Sequence, residues 1–378
     1  MRICLIYDCL YPHTVGGAER WYRNLALRLD AEGHEVTYLT MRQWGASEEP
    51  DLPGVRVVPV TRQMPLYARG RRRILPTLLF GMGVLRHLMR HGRRYDAVHT
   101  ASFPYFSLLA AGLVRPLVRY RIVVDWHELW TRAYWREYLG TAGGSFGRRI
   151  QRLCLAVPQR AFCFSRLVEQ RLLAEGIRGK VTVLEGQFDG TASAAPLPAE
   201  LLVVFAGRHI PEKGPVAVVR AVAKARESIP ELRGTIFGDG PERRNVLAAI
   251  AELGLSDVVE APGFVDASVV EDTIARALCL VLPSRREGYG LVVLEALSKG
   301  TPAIVVEGED NAATEFIAEG ENGFVVADAS ADELAAAVVE SRDRGERLRT
   351  STLYWFVRNA GRLSLETSLE TVTSAYSN

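Results

Sequence analysis

The sequence contains no D-x-D, no H-E-x-x-H and no cluster of cysteines with histidines. These are the usual handles for Mg²⁺ on a diphosphate and for Zn²⁺, so neither a metal nor any other cofactor is expected. Neither half of the chain carries G-x-G-x-x-G after its first strand-like run, which argues against a nicotinamide or flavin enzyme. Cysteine is scarce. Cys4, Cys9, Cys154, Cys163 and Cys279 form no C-x-x-C pair, fall mostly in apolar runs, and read as buried thiols in a reducing compartment. No cationic leader precedes an apolar core, because Arg2 to Tyr7 runs straight into a strand. The most apolar windows, 77–89 and 107–118, are interrupted by Arg86 and Arg115 and are too short to span a bilayer. The expectation is a cytoplasmic chain. Internal repeats and low-complexity tracts are also missing.

What is present is ordinary for a soluble protein of two domains: 378 residues, 48% hydrophobic and 24% charged. A net charge of +2 gives no global attraction to nucleic acid, so any electrostatic partner would be engaged through a local patch, and without a recognition motif no nucleic acid is expected. Apolar strand-like runs alternate with helical patterns, the habit of parallel α/β sheets. Strands are predicted near 2–8, 35–40, 55–60, 97–102, 121–127, 160–165 and 181–185, with helices at 18–29, 74–91 and 167–175. The small, polar, proline-bearing run from Gly186 to Pro198 reads as a linker. Alternation restarts with strands near 201–207, 234–238, 257–264, 278–282, 302–306 and 323–326. The domains are therefore placed at 1–187 and 201–353, joined by 188–200 and followed by a helical tail, 354–378.

One stretch organises the second domain: Ser284-Arg-Arg-Glu-Gly-Tyr-Gly-Leu-Val-Val-Leu-Glu-Ala-Leu-Ser-Lys-Gly-Thr-Pro302. An apolar strand ends at Pro283, and Leu291, Leu294, Ala296 and Leu297 recur near helical spacing until Gly300. Gly288 and Gly290, on either side of Tyr289, put no side chain between a ligand and the backbone amides leading to Leu291, where the helix dipole favours phosphate. Glu287 and Glu295 flank that cradle, and a carboxylate accepts from two vicinal hydroxyls, as on a ribose or a sugar. The plainer alternative is a solvated Glu295 and two turn glycines. Upstream, Ala206-Gly-Arg-His-Ile-Pro-Glu-Lys-Gly214 puts Arg208 and Lys213 at a strand end, where two cations can hold a diphosphate.

In the first domain, Gly16 and Gly17 open a helix and can present two amides to an anion, or form only a turn. His127 closes the strand in Val123-Val-Asp-Trp-His-Glu-Leu-Trp130, and ligands of open α/β sheets collect beyond the carboxyl ends of strands. Trp130, Tyr134 and Trp135, interspersed with Arg132 and Arg136, suit the apolar faces of a sugar acceptor. The alternative is an amphipathic helix packed on its own domain.

The E-x7-E spacing of Glu287 and Glu295, with glycine at 288 and 290 and Gly-x-Pro at 300–302, together with the Gly-Arg…Lys-Gly run at 207–214, strongly resembles the signature of family 4 retaining glycosyltransferases. The resemblance implies the GT-B fold, an α/β architecture of two Rossmann-like parallel-sheet domains facing each other across a cleft, with the carboxyl-terminal tail crossing back to the first domain. It implies transfer of a hexose from a GDP- or UDP-sugar to an acceptor hydroxyl, with retention and without a metal. His127, Arg208, Lys213 and Glu287 would then be catalytic. Gly16, Gly17, Val265, Gly288, Tyr289, Gly290, Leu291 and Glu295 would hold the donor, with Val265 against the base. Glu315 matches a further family glutamate. The family's Gly-Gly-x-Pro before it is replaced by Asn311-Ala-Ala-Thr314, which puts sugar specificity at this loop in doubt. A nucleotide-sugar hydrolase or epimerase of the same fold, and a non-catalytic glycan- or lipid-binding protein, are the alternatives.

One further absence is local. From residue 52 to residue 95 there is no Asp or Glu, yet there are ten arginines, at 56, 62, 69, 71, 72, 73, 86, 90, 93 and 94. Leu78, Leu79, Phe80, Met82, Val84, Leu85, Leu88 and Met89 supply an apolar body beside them. The span Arg69 to Arg94 reads as a basic amphipathic surface for anionic lipid, which suits a lipid-linked or cell-envelope glycan as acceptor and a peripheral position on the inner face of a membrane. A buried helix with a solvated basic end, or an acidic soluble acceptor, would give the same composition.

Overall fold

The computed structural model describes residues 1–45, 48, 50–65, 67, 68 and 71–377, without the side chains of 67, 68, 71, 72 and 377. Arg69 of the basic surface, and the side chains of Arg71 and Arg72, lie outside the described residues. The chain divides into two compact units, Met1–Glu185 with Glu366–Asn378, and Gly186–Leu365.

The first unit is built on strands β1 (Arg2–Ile6), β2 (Glu35–Met41) and β3 (Arg56–Thr61). After a short antiparallel pair, β4 (Tyr67–Ala68) and β5 (Arg71–Arg72), come β6 (Ala97–Ala101), β7 (Arg121–Trp126), β8 (Gln159–Cys163) and β9 (Gly179–Val183). The seven long strands form one parallel sheet in the order β3-β2-β1-β6-β7-β8-β9. Its helices are α1 (Gly17–Ala31), α2 (Ile74–His91), α3 (Tyr105–Val118), α4 (Arg132–Leu155) and α5 (Arg166–Ala174). Strands that read as continuous apolar runs are covered on both faces, as parallel sheets require: Ile3, Cys4, Leu5 and Ile6 are fully buried.

The second unit repeats the plan with β10 (Leu202–Ala206), β11 (Arg233–Phe237), β12 (Val259–Gly263), β13 (Cys279–Leu282), β14 (Arg286–Glu287), β15 (Ala303–Val306), β16 (Asp310–Asn311) and β17 (Gly323–Val326). Six of them make a parallel sheet ordered β12-β11-β10-β13-β15-β17, and β14 pairs separately with β16. Helices α6 (Pro215–Ala225), α7 (Arg243–Glu252), α8 (Ala267–Arg276), α9 (Leu291–Leu297) and α10 (Ala331–Leu363) pack around it. The fold class is the two-sheet α/β architecture that the alternation predicts, and every strand expected from it is present. Residues 188–200 are tied into this unit: Phe188 N donates to Leu363 O at 3.0 Å, Ser193 N donates to Ser298 O at 2.9 Å, and the Phe188 ring meets Phe356 edge-on. The long α10 breaks direction at Gly345 (φ 51°, ψ −130°), and α11 (Leu365–Ser377) follows it. α11 packs within the first unit, where Arg28 pairs with Glu366 and Arg121 donates to the carbonyl of Tyr376 at 2.7 Å. The five cysteines are buried and no two form a disulfide.

The end of α8 shows how a buried charge serves this core. Arg349, 2% exposed, donates to the carbonyls of Ala277 at 2.5 Å and Ala275 at 2.6 Å, which the helix itself leaves unbonded. Burial lowers its pKa to about 10, so it stays charged at neutral pH and favours the negative end of the helix dipole. Arg349→Met keeps the volume and orphans both carbonyls. The expected cost is about 2–4 kcal/mol, read as a fall in urea midpoint with an unchanged slope; a loss under about 0.5 kcal/mol would contradict this role.

Candidate functional site

In the second unit, the two signature stretches are stitched into one constellation. The amide of Arg285 donates to the carbonyl of Glu212 at 2.9 Å, joining the loop after β13 to the one after β10. Lys213 Nζ and Glu287 Oε2 form an ion pair across that seam, with side chains only 15% and 12% exposed, and the hydroxyl of Ser284 donates to the same carboxylate oxygen at 3.4 Å. Lys213 is thus not a bare cation: its charge is balanced by the carboxylate expected to read sugar hydroxyls. Arg208 is exposed and, among the described residues, has no carboxylate partner. Its neighbour His209 is fully buried, and burial lowers its pKa.

Gly290 enters α9 at φ +94°, and a Cβ there would stand 2.7 Å from the Cβ of Ala313. Both facts demand glycine. Tyr289 accepts from Gln187 N at 3.1 Å and packs edge-on against Phe316, so its ring is anchored. Gly288, Leu291 and Glu295 are half-buried on the same loop and helix, and Val265 is half-buried against the core. The Asn311 loop is a knot: its side chain donates to Ser284 O at 3.0 Å and Val306 O at 2.8 Å, and accepts from Ala313 N at 3.1 Å. Glu315, in the short helix that follows, is exposed.

In the first unit, His127 lies just past β7, its ring stacked on Phe164 at 4.6 Å and 3° and edge-on to Tyr22. Its Nε2 is buried without a hydrogen-bond partner among the described residues. Two residues earlier, fully buried Asp125 accepts from Trp21 Nε1 at 2.7 Å and lies 2.8 Å from Nε2 of His99, whose Nδ1 is 2.5 Å from the hydroxyl of Tyr376. Sequence reading passed over Asp125, His99 and Tyr376. The available signal was a carboxylate and an imidazole inside apolar strands, where an unpaired charge is not tolerated. Gly16, in extended conformation, and Gly17, with open space where its Cβ would be, begin α1, which also carries Trp21 and Tyr22.

The aromatic segment is mostly core. Trp135, 4% exposed, and Tyr134, 9% exposed, are packed rather than presented, with Gln151 accepting from both Trp135 Nε1 and Tyr105 OH. The expectation that Trp135 and Tyr134 line an acceptor path is therefore corrected toward an amphipathic helix on its own domain. Half-buried Trp130 alone of the three keeps an accessible edge, stacked on Phe103.

Burial, the largest influence on Asp125, pushes its carboxyl up; the charge and bond of His99, the charge of His127 and the bond from Trp21 outweigh it and hold it below the ordinary range. Burial lowers His127, and Asp125 and Glu128 only partly offset this. The sign is the same for both groups: the unfolded chain binds more protons, so stability falls as pH drops below the unfolded histidine value near 6.5 and again as Asp125 titrates. Urea midpoints between pH 8 and pH 3 should decline in that order. Asp125→Asn should remove the support for protonated His127 and lower its titration midpoint further by NMR; an unchanged midpoint would disconnect the two.

The family model described as Glycosyltransferase Family 4 matches residues 15–186, and the one described as Glycosyl transferases group 1 matches residues 193–348. D-inositol 3-phosphate glycosyltransferase of Streptomyces avermitilis is 36% identical over 175 residues, covering 40% of this chain and 37% of that protein. Glycogen synthase of Mycobacterium tuberculosis is 26% identical over 363 residues, covering 89% of this chain and 85% of that protein. The chain thus spans little more than a third of the former and most of the latter. Sucrose-phosphate synthase from Thermosynechococcus elongatus superposes with a TM-score of 0.79 at 19% identity, over 99% of this chain and 98% of that one. Anabaena HepE in complex with UDP does so with 0.75 at 17%, over the whole of both chains. Likeness at such identity shows a shared fold. With two matched models that together leave out only its ends and residues 187–192, signature loops joined as described and GT-B neighbours along its whole length, this chain belongs to glycosyltransferase family 4 and has the GT-B fold.

Proposed function

We propose that the protein transfers a hexose from a nucleotide-diphosphate sugar, GDP- or UDP-linked, to an acceptor hydroxyl with retention of configuration and without a metal. The observation that carries this reading is the seam of the second unit, where the Lys213–Glu287 ion pair adjoins the Gly288–Gly290 loop and exposed Arg208, with no carboxylate partner among the described residues, lies with Lys213 on the segment after β10. Arg208 and Lys213 can neutralise the charge that grows on a departing diphosphate, the work a divalent ion does elsewhere. Glu287, held by Lys213 and Ser284, is fixed to accept from sugar hydroxyls, and Glu295 to accept from a ribose. A neutral His127 can hydrogen-bond the sugar near the reacting carbon. No carboxylate of the first unit is assigned as a nucleophile, so departure and attack occur on one face and the leaving phosphate takes the acceptor proton. HepE in complex with UDP, and a relative named for an inositol phosphate acceptor, support this donor and acceptor chemistry.

A lipid-linked acceptor suits the exposed face of α2. Ile74, Leu75, Leu78, Met82 and Met89 are 56, 55, 39, 58 and 64% exposed, at spacings that form a stripe. Arg73, Arg86, Arg90, Arg93 and Arg94 flank them, exposed, each worth about 1 kcal/mol near an anionic leaflet. Among the described residues no helix is long and apolar enough to cross a membrane, so the contact would lie in the interface plane.

Arg208→Ala should lower kcat for transfer about 10²–10³-fold. Saturating EDTA should leave the wild-type rate unchanged, and NMR of the first product should show the donor's anomeric configuration; inversion, or equal turnover of donor without any acceptor, would overturn the assignment. The chain should also float with anionic vesicles at low salt and release as salt rises, and failure to float would end the membrane reading.

A further inference from the structure

Along one side of α2, the end of β3 and the segment after it border a groove of about 730 Å³, within the range of sites that hold a small ligand. Its floor is apolar: Val60 and Met64 on one wall, Leu79 and Leu85 on the other. A Cβ on Gly83 would stand 2.5 Å from the carbonyl oxygen of Val60, so glycine lets the helix touch the strand and sets the depth of the groove. Met82 and Met89 form the lip, and unbranched thioethers adapt to an irregular apolar guest. Arg62, Arg86 and Arg90 also line it; each is exposed and, among the described residues, has no carboxylate partner. From Leu79 to Arg90 the groove follows α2 for about 16 Å, enough for a medium alkyl chain.

We propose that this groove binds a single phosphate-headed lipid, its hydrocarbon chain on the Val60, Leu79 and Leu85 floor and its phosphate held by Arg62, Arg86 and Arg90. Charge fixes the occupant. Three guanidiniums with no carboxylate partner among the described residues, in a stretch with no Asp or Glu from 52 to 95, call for an anion, while the floor between them calls for hydrocarbon. A free phosphate leaves the floor wet, and a neutral alkyl chain leaves the arginines unanswered. The proposal rests on the lipid-linked acceptor reading for its meaning, but binding is measurable without glycosyl transfer, so the two fail separately.

Dodecyl phosphate below its micelle concentration, titrated calorimetrically into the full chain, should bind saturably at one site. Inorganic phosphate and dodecyl maltoside should each bind at least about tenfold more weakly. Met82→Glu with Met89→Glu puts charge on the lip at two exposed positions and should weaken dodecyl phosphate about tenfold, as should Arg86→Ala with Arg90→Ala. The second pair keeps the test standing if the first fails to fold. Equal binding of inorganic phosphate would reduce the site to a charge patch, equal binding of dodecyl maltoside to an apolar one, and unchanged affinity in the arginine pair would place the lipid elsewhere; each overturns the proposal. Loss of transfer with binding intact would sink only the enzymatic reading.

Discussion

The second unit depends on one seam. The backbone bond from Arg285 to Glu212 and the ion pair of Lys213 with Glu287 join two loops whose strands, β10 and β13, are neighbours in the sheet but lie far apart in sequence. A mostly buried pair is not a source of stability in itself, because desolvating two charges offsets most of their attraction. Its value is positional. It holds a carboxylate and an ammonium at fixed places without a ligand, so neither side chain has to be ordered when an anion arrives. The same pairing means that a diphosphate approaching Lys213 competes with Glu287 unless it adds to the pair, whereas Arg208 has no carboxylate partner among the described residues.

The first unit uses a different device. Asp125 is buried at the end of a central strand and kept ionised chiefly by His99 and Trp21, with Tyr376 of the last helix on the far side of His99. A carboxylate so placed costs stability unless its neighbours offset the lost solvation, and Trp21 of α1 and His99 of β6 are the groups brought to it. His127, next to this network, is held neutral by burial, and its Nε2 has no hydrogen-bond partner among the described residues. The carboxyl-terminal helix is thus part of the support for the strand end that carries His127.

Most of the architecture could be read from the chain because its strands are buried on both faces. Such strands appear as uninterrupted apolar runs, and Leu278 to Leu282 could be read as little else. The two-residue strands β14 and β16 escaped, since two residues carry no periodicity, although their pairing sets Glu287 beside Asn311. The aromatic segment misled for the opposite reason. Trp130, Tyr134 and Trp135 have the composition of a sugar platform, but a tryptophan that finds a buried acceptor such as Gln151 is equally at home in a core.

By itself the sequence determined the two parallel sheets, the residues of the signature loops and the acid-free basic stretch, because each is a local pattern of residue type and spacing. Tertiary structure decided what those residues meet: that Lys213 faces Glu287, that Asp125 gathers His99 and Tyr376, that Trp135 turns inward, and that arginines scattered from 62 to 90 ring an apolar groove. The physical reason is range. Helix and strand periodicity is set within a few residues, whereas a pairing partner is chosen by which loops the folded sheet brings to the same edge.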